Sequence, residues 1–149
     1  MLLQNLNDAE CRELLTRIGF GRLGCAHENQ PYVLPIYFAS EGEYLFGFST
    51  VGQKIEWMRS NPLVCIEVDE IISADSWSCV LVFGSYEEMP DTPKYAKLRQ
   101  SAHDLVDKRQ LWWEPAIASA QTRPEEIRPA PILYRVKIDR MTGHRAVPN

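Results

Sequence analysis

The residue types and spacings that could do chemistry are concentrated in one stretch, Phe46-Gly47-Phe48-Ser49-Thr50-Val51-Gly52-Gln53-Lys54. A strand-like run ends there, two hydroxyls follow, then a glycine, an amide and a lysine at the start of a helical pattern. That order suits a phosphate. Ser49 and Thr50 can donate hydroxyls, the first turn of a helix offers free N–H groups, and Lys54 adds a point charge. The same spacing also describes an N-capped helix with a solvated lysine, and spacing alone leaves both open. Gly47-Phe48-Ser49 begins a nucleophile-elbow pattern, G-x-S-x-G, but position 51 is valine and the neighbouring strands look antiparallel, which argues against a serine hydrolase.

Other reactive residues form no pattern. His27, His103 and His144 are scattered, and none pairs with another histidine or a cysteine at ligand spacing, so no protein-ligated metal is expected. Cys11, Cys25, Cys65 and Cys79 include no C-x-x-C pair and are expected to be reduced, mostly buried thiols. No carboxylate pair stands out as an acid and base. Trp57 sits at helix spacing and reads as core, while Trp77 opens a strand where it could pack against a planar ligand. Trp112 and Trp113 are adjacent. Neighbours on a regular helix point about 100° apart, so one of the two is expected to meet solvent, a partner chain or a ligand.

Several elements must position these groups. Asn7 with Glu10 three residues on is a capping-box spacing for a helix that Gly19 and Gly21 stop. Strand-like runs follow at Arg22–Ala26, Pro31–Ala39 and Tyr44–Ser49, with polar turns between them. Pro31–Ala39 is apolar on both faces, so both sides need cover, and Pro35 inside it implies an edge, a bulge or a break. Gly52–Ser60 reads as a short helix, Leu63–Glu70 and Ser76–Glu88 as strands, and Pro93 opens a helix expected to reach Leu111. The proline-punctuated stretch 116–131 reads as an extended connection. Ile132–Arg140 then alternates as a strand with one wet face. About six strands joined by tight turns, with two or three helices inserted, predict a mainly β domain closed as an antiparallel barrel.

Length and charge narrow the function classes. The chain has 149 residues, which suits one domain over residues 1–149. A formal net charge of −4 with no Lys/Arg cluster argues against a nucleic-acid partner or an anionic membrane. No run approaches the roughly 18 apolar residues of a membrane span, and the N-terminus lacks the pattern of a signal peptide, so a cytoplasmic protein is expected.

Four stretches in order resemble the pyridoxamine 5'-phosphate oxidase-like, FMN-binding split-barrel family, and most of all its nitroimidazole-resistance, nitroreductase-like branch. They are Gly21–Gly24 with Gln30–Phe38, Tyr44–Lys54, Asn61–Asp69 and Trp77–Gly84. A weaker match covers Ile132–Arg145. The resemblance implies a six-stranded antiparallel split barrel, a homodimer with FMN at its interface, and a flavin-dependent oxidoreductase. By that analogy Ser49, Thr50 and Lys54 hold the phosphate with help from Gln53. The backbone of Pro35, Ile36, Tyr37 and Phe38 lines the isoalloxazine, and Trp77 flanks it. Trp112 or Trp113 reaches the flavin of the other subunit. Many relatives carry histidine where this chain has Phe48, which bears on substrate and catalysis more than on the cofactor. Relatives also include binders of the deazaflavin F420 or haem, so a non-catalytic binding or sensing module is the alternative. A pyridoxal-phosphate handler finds no arginine cluster to support it.

Overall fold

The computed structural model describes residues 1–107 and 131–149. Its elements run β1 (Leu2–Asn5), α1 (Asp8–Ile18), β2 (Phe20–His27), β3 (Gln30–Tyr37), β4 (Ala39–Glu41), β5 (Tyr44–Ser49), α2 (Gln53–Ser60), β6 (Leu63–Ser73), β7 (Ser76–Glu88), a 3-10 turn at Pro93–Tyr95, α3 (Ala96–Asp107) and β8 (Ile132–Val147). Trp112, Trp113 and the connection expected at 116–131, apart from Pro131, lie outside the described residues, as does the end expected for the third helix at Leu111.

All strand pairs are antiparallel, in the order β3-β2-β6-β7-β8-β5-β4, with β1 added on β8. The two ends of that path, β3 and β4, are consecutive in the chain and separated by Phe38 alone, whose N–H donates to Gly19 O at 3.1 Å. The sheet therefore curls until its two edges meet at one residue, which makes a barrel with a seam.

β3 is an edge strand, which is one of the three ways open to accommodate Pro35. Pro31 and Pro35 are four residues apart, so they share one orientation, and their missing N–H groups face away from β2. The expected fold class stands, with eight strands in place of six. β1 and β4 are short, and β8 runs past Arg140 to Val147, so His144 lies in a strand opposite Cys79 and Asn5.

Two apolar clusters hold the sheet. The barrel interior packs Leu15, Leu23, Ile36, Leu45, Ile55, Met58, Ile66, Val68, Val80, Val82 and Tyr134, each worth about 1.5–3 kcal/mol when buried. On the outside, α3 covers Phe46, Phe48 and Leu133 with Ala102 and Leu98. Asn7 and Glu10 form the expected capping box on α1, and Gly19 ends the helix at φ 61 in the left-handed region. Cys11 and Cys25 are buried, Cys65 and Cys79 half-buried, and all four are free thiols.

Candidate functional site

β5 delivers two different faces. Leu45, Gly47 and Ser49 turn to the barrel interior, while Phe46 and Phe48 turn outward beneath α3. Phe48, where many relatives have histidine, is thus packed into the outer apolar cluster beside Ala102 and Met89. Gly47 is needed where it stands. A Cβ there would come within 2.8 Å of the Tyr134 hydroxyl oxygen and 2.9 Å of its ring.

Ser49 is 4% exposed and Lys54 7%, the two buried polar or charged side chains among the described residues. They stand at the end of β5 and in the first turn of α2. The Ser49 hydroxyl donates to Thr50 O at 3.0 Å. The α2 N-terminus begins at Gly52 in extended backbone, with no side-chain hydrogen bond to cap it, and a Cβ built on Gly52 would meet nothing within 4 Å. A capped helix with a solvated lysine, one of the two readings open at the level of sequence, is therefore not what forms. The helix start is uncapped and its lysine is buried. Open space at Gly52, with a buried lysine and a buried hydroxyl within a few residues, keeps the phosphate reading of this loop in play.

α2 is seated by its apolar side. Ile55 and Met58 are fully buried, and the Trp57 ring lies 5.5 Å from both Tyr32 and His27. The expectation of Trp57 as core is met at the edge of the interior cluster. Asn61 ends the helix, and its side-chain amide donates to Ala26 O at 3.1 Å. Arg59, in the last turn, donates to both Glu88 oxygens at 2.8 and 3.2 Å.

The barrel seam lies next to this cradle. Gly47, Phe48 and Ser49 pair with Tyr134, Leu133 and Ile132 on one side, and no strand of the described residues pairs with their other edge. One step beyond the Ala39↔Phe46 pair, the same register sets Phe38 opposite Gly47. That step places Phe38, just past the end of β3, beside Gly47, two residues before Ser49. Ile36 and Phe38 point into the core, while Pro35 and Tyr37 stay half-buried, with Tyr37 against Phe20 at 5.1 Å between ring centroids. Trp77 is not part of this grouping within one chain. It pairs with Ala146 whereas Ser49 pairs with Ile132, so the two stand beside opposite ends of β8.

The outward face of the sheet carries features that periodicity only hinted at. Val33, Gly24, Cys65 and Phe83 form one row across β3, β2, β6 and β7, and Pro31, Ala26 and Leu63 flank it. They line a shallow groove of about 340 Å³ with Val33 65% and Leu63 67% exposed. The next row sets Arg22 opposite Glu67, with Asp69 3.4 Å from the Arg22 guanidinium. Burial, and then the neighbouring Asp69 carboxylate, push the Glu67 carboxyl up. This mixed row was not foreseen from sequence because its members are far apart in the chain and meet only through register.

The antiparallel strand order, closed at a seam between β3 and β4 with helices inserted, is that of a split β-barrel. The chain belongs to the pyridoxamine 5'-phosphate oxidase family, whose model matches residues 7–145. It is similar to an uncharacterized protein of Rhizobium meliloti (strain 1021), at 38% identity over 98% of this chain and 97% of that one. It is also similar to the solved structure of an FAD-binding protein from Mesorhizobium loti, at 36% identity, 99% coverage of both chains and a TM-score of 0.81. A candidate 5-nitroimidazole antibiotic resistance protein from Bacteroides thetaiotaomicron shares the fold at 20% identity and a TM-score of 0.67, over 97% of this chain and 89% of that one. Among the described residues no helix is long and apolar enough to cross a membrane, and no His, Cys, Asp and Glu side chains gather as a metal site.

Proposed function

We propose that this protein binds FMN and uses it as a cytosolic flavin-dependent oxidoreductase. The observation that carries this reading is the burial of Ser49 and Lys54 around an uncapped helix start that opens on the seam. These residues fit the group. Lys54, the Ser49 and Thr50 hydroxyls and the first N–H groups of α2 take the phosphate, with Gln53 beside them. The half-buried Pro35 and Tyr37 with the backbone through Phe38 offer a flat apolar wall for the ring. A bound flavin supplies the two-electron chemistry, and the protein supplies binding, orientation and water exclusion.

The site is read as completed by a second copy. A flavin ring is poorly enclosed by one small barrel, and the apolar outward groove of Val33, Leu63, Cys65 and Phe83 is a surface that a stable fold covers. Trp77 reaches a flavin, on this reading, from the partner copy, because in its own chain it lies at the far end of β8. The FAD-binding name of the Mesorhizobium loti relative supports a flavin nucleotide in general, and FMN is the form the single phosphate cradle suits. Fluorescence titration with FMN tests the reading, and a chain that does not bind it refutes it.

A second reading, a flavin-binding module without turnover, is favoured by Phe48. Its side chain lies under α3 rather than at the seam, so no imidazole is offered there. Flavin-dependent oxidation of NADH or NADPH separates the two readings.

A further inference from the structure

The Glu88 carboxylate joins the two halves of the phosphate loop to the rest of the sheet. Its Oε1 and Oε2 accept from Arg59 Nε and Nη2 at 2.8 and 3.2 Å, a two-pronged clasp on the last turn of α2. Oε1 also accepts the Tyr86 hydroxyl at 2.7 Å. In the β7–β8 ladder Glu88 stands opposite Tyr134, whose ring lies 5.6 Å from that of Tyr86. The Tyr134 ring in turn fills the space over Gly47. The end of β5 therefore rests on Tyr134 while α2 is held by Arg59, and both lines of contact converge on one carboxylate.

We propose that Glu88 is a positioning residue which, with Arg59 and Tyr86, sets the spacing between Ser49 and Lys54 and so selects flavins that carry a 5'-phosphate over phosphate-free riboflavin. This rests on the flavin reading above. α2 is a short rod, about 12 Å long at 1.5 Å per residue, with no side-chain cap at its start. Ile55 and Met58 fix its depth, but apolar contacts are non-directional and leave its tilt and rotation soft. A bidentate guanidinium–carboxylate pair is directional and adds to the hydrogen bond from Asn61 to Ala26 O a second constraint, from the β7 side. The Arg59 guanidinium holds the Glu88 carboxyl below the usual carboxylate range, so the clasp is an ion pair at neutral pH.

The test is a pair of fluorescence titrations of the full chain, one with FMN and one with riboflavin, on wild type, Glu88→Gln and Tyr86→Phe. The expected result is a fall in the FMN-over-riboflavin preference of about three- to fivefold for Glu88→Gln, the scale of a partly exposed ion pair. Tyr86→Phe loses about threefold, and riboflavin affinity stays within about twofold in both. A merely architectural role weakens both ligands together and leaves the preference where it was, which overturns the proposal. If Glu88→Gln does not fold, Tyr86→Phe decides on the same criterion. A wild type that prefers FMN, with variants that keep the whole preference, refutes the positioning role alone. A wild type that binds neither flavin refutes the flavin reading and the positioning role with it.

Discussion

Replacing Lys54 by methionine keeps most of the buried stem and removes the charge. With its side chain 7% exposed, Lys54 would meet a phosphate with little water between them. A unit pair at 4 Å with an effective dielectric of about 20 attracts by roughly 4 kcal/mol. Ser49, Thr50 and the first N–H groups of α2 share the phosphate's charge. The loss is therefore closer to that of one hydrogen bond to a charged group, about 1.5–3 kcal/mol. That corresponds to FMN binding weakened by about 10- to 150-fold. Riboflavin has no phosphate and should lose less than about threefold. Because the lysine is buried, the difference should persist when ionic strength is raised to about 0.5 M, where exposed pairs are screened. The assay is quenching of flavin fluorescence on titration with protein, run in parallel for the two ligands. Equal loss for FMN and riboflavin, or no loss for FMN, would refute the placement of Lys54 at the phosphate.

The remaining predictions concern the cradle, the clasp and the outward groove. Gly21→Ala puts a Cβ 2.4 Å from the Glu67 carbonyl oxygen and should destabilise the apoprotein by about 1–3 kcal/mol, read as a fall in Tm, whereas Gly52→Ala meets open space and should leave Tm nearly unchanged. The Glu88 carboxyl is lowered by Arg59, so its contribution is present above the unfolded carboxylate value of about 4.3 and is lost as pH falls through the folded value. Urea melts of wild type and Glu88→Gln should accordingly differ at pH 7 and converge towards pH 3. Leu63→Asp with Val33→Asp should convert a dimer to a monomer in sedimentation velocity and weaken FMN, and a wild type already monomeric while binding FMN tightly contradicts the two-copy site.

Much of the barrel was legible because its elements carry local signals. The capping box at Asn7 and Glu10, the strand Tyr44–Ser49 and the strand Ser76–Glu88 fall where spacing put them. β1 was not legible. Leu2–Asn5 is exposed throughout, and its only reason to be a strand is pairing with His144–Val147 at the other end of the chain. β4 is three residues long and resembles the turn it leads into. β8 continues beyond Arg140, past a register shift opposite Phe83 and Gly84, a continuation no local alternation announces. Of the site, the loop from Ser49 to Lys54 was visible in residue types alone. The burial of Lys54 was not, since it depends on how α2 is seated on β2, whereas the lack of a side-chain cap follows from glycine at the N-cap, Gly52. Glu88 was invisible for the same reason. Its partners Arg59 and Tyr134 are brought to it by the sheet and by the packing of α2.

The central claim is that this chain holds a flavin nucleotide at the Ser49–Lys54 loop. Equilibrium titration of the purified wild-type protein with FMN tests it most directly, followed by flavin absorbance and fluorescence after removal of free ligand. The account predicts saturable binding of one FMN per chain, with a shifted flavin spectrum and with riboflavin bound more weakly. Absorbance identical to free FMN, with no retention and no preference for the phosphorylated flavin, would contradict it.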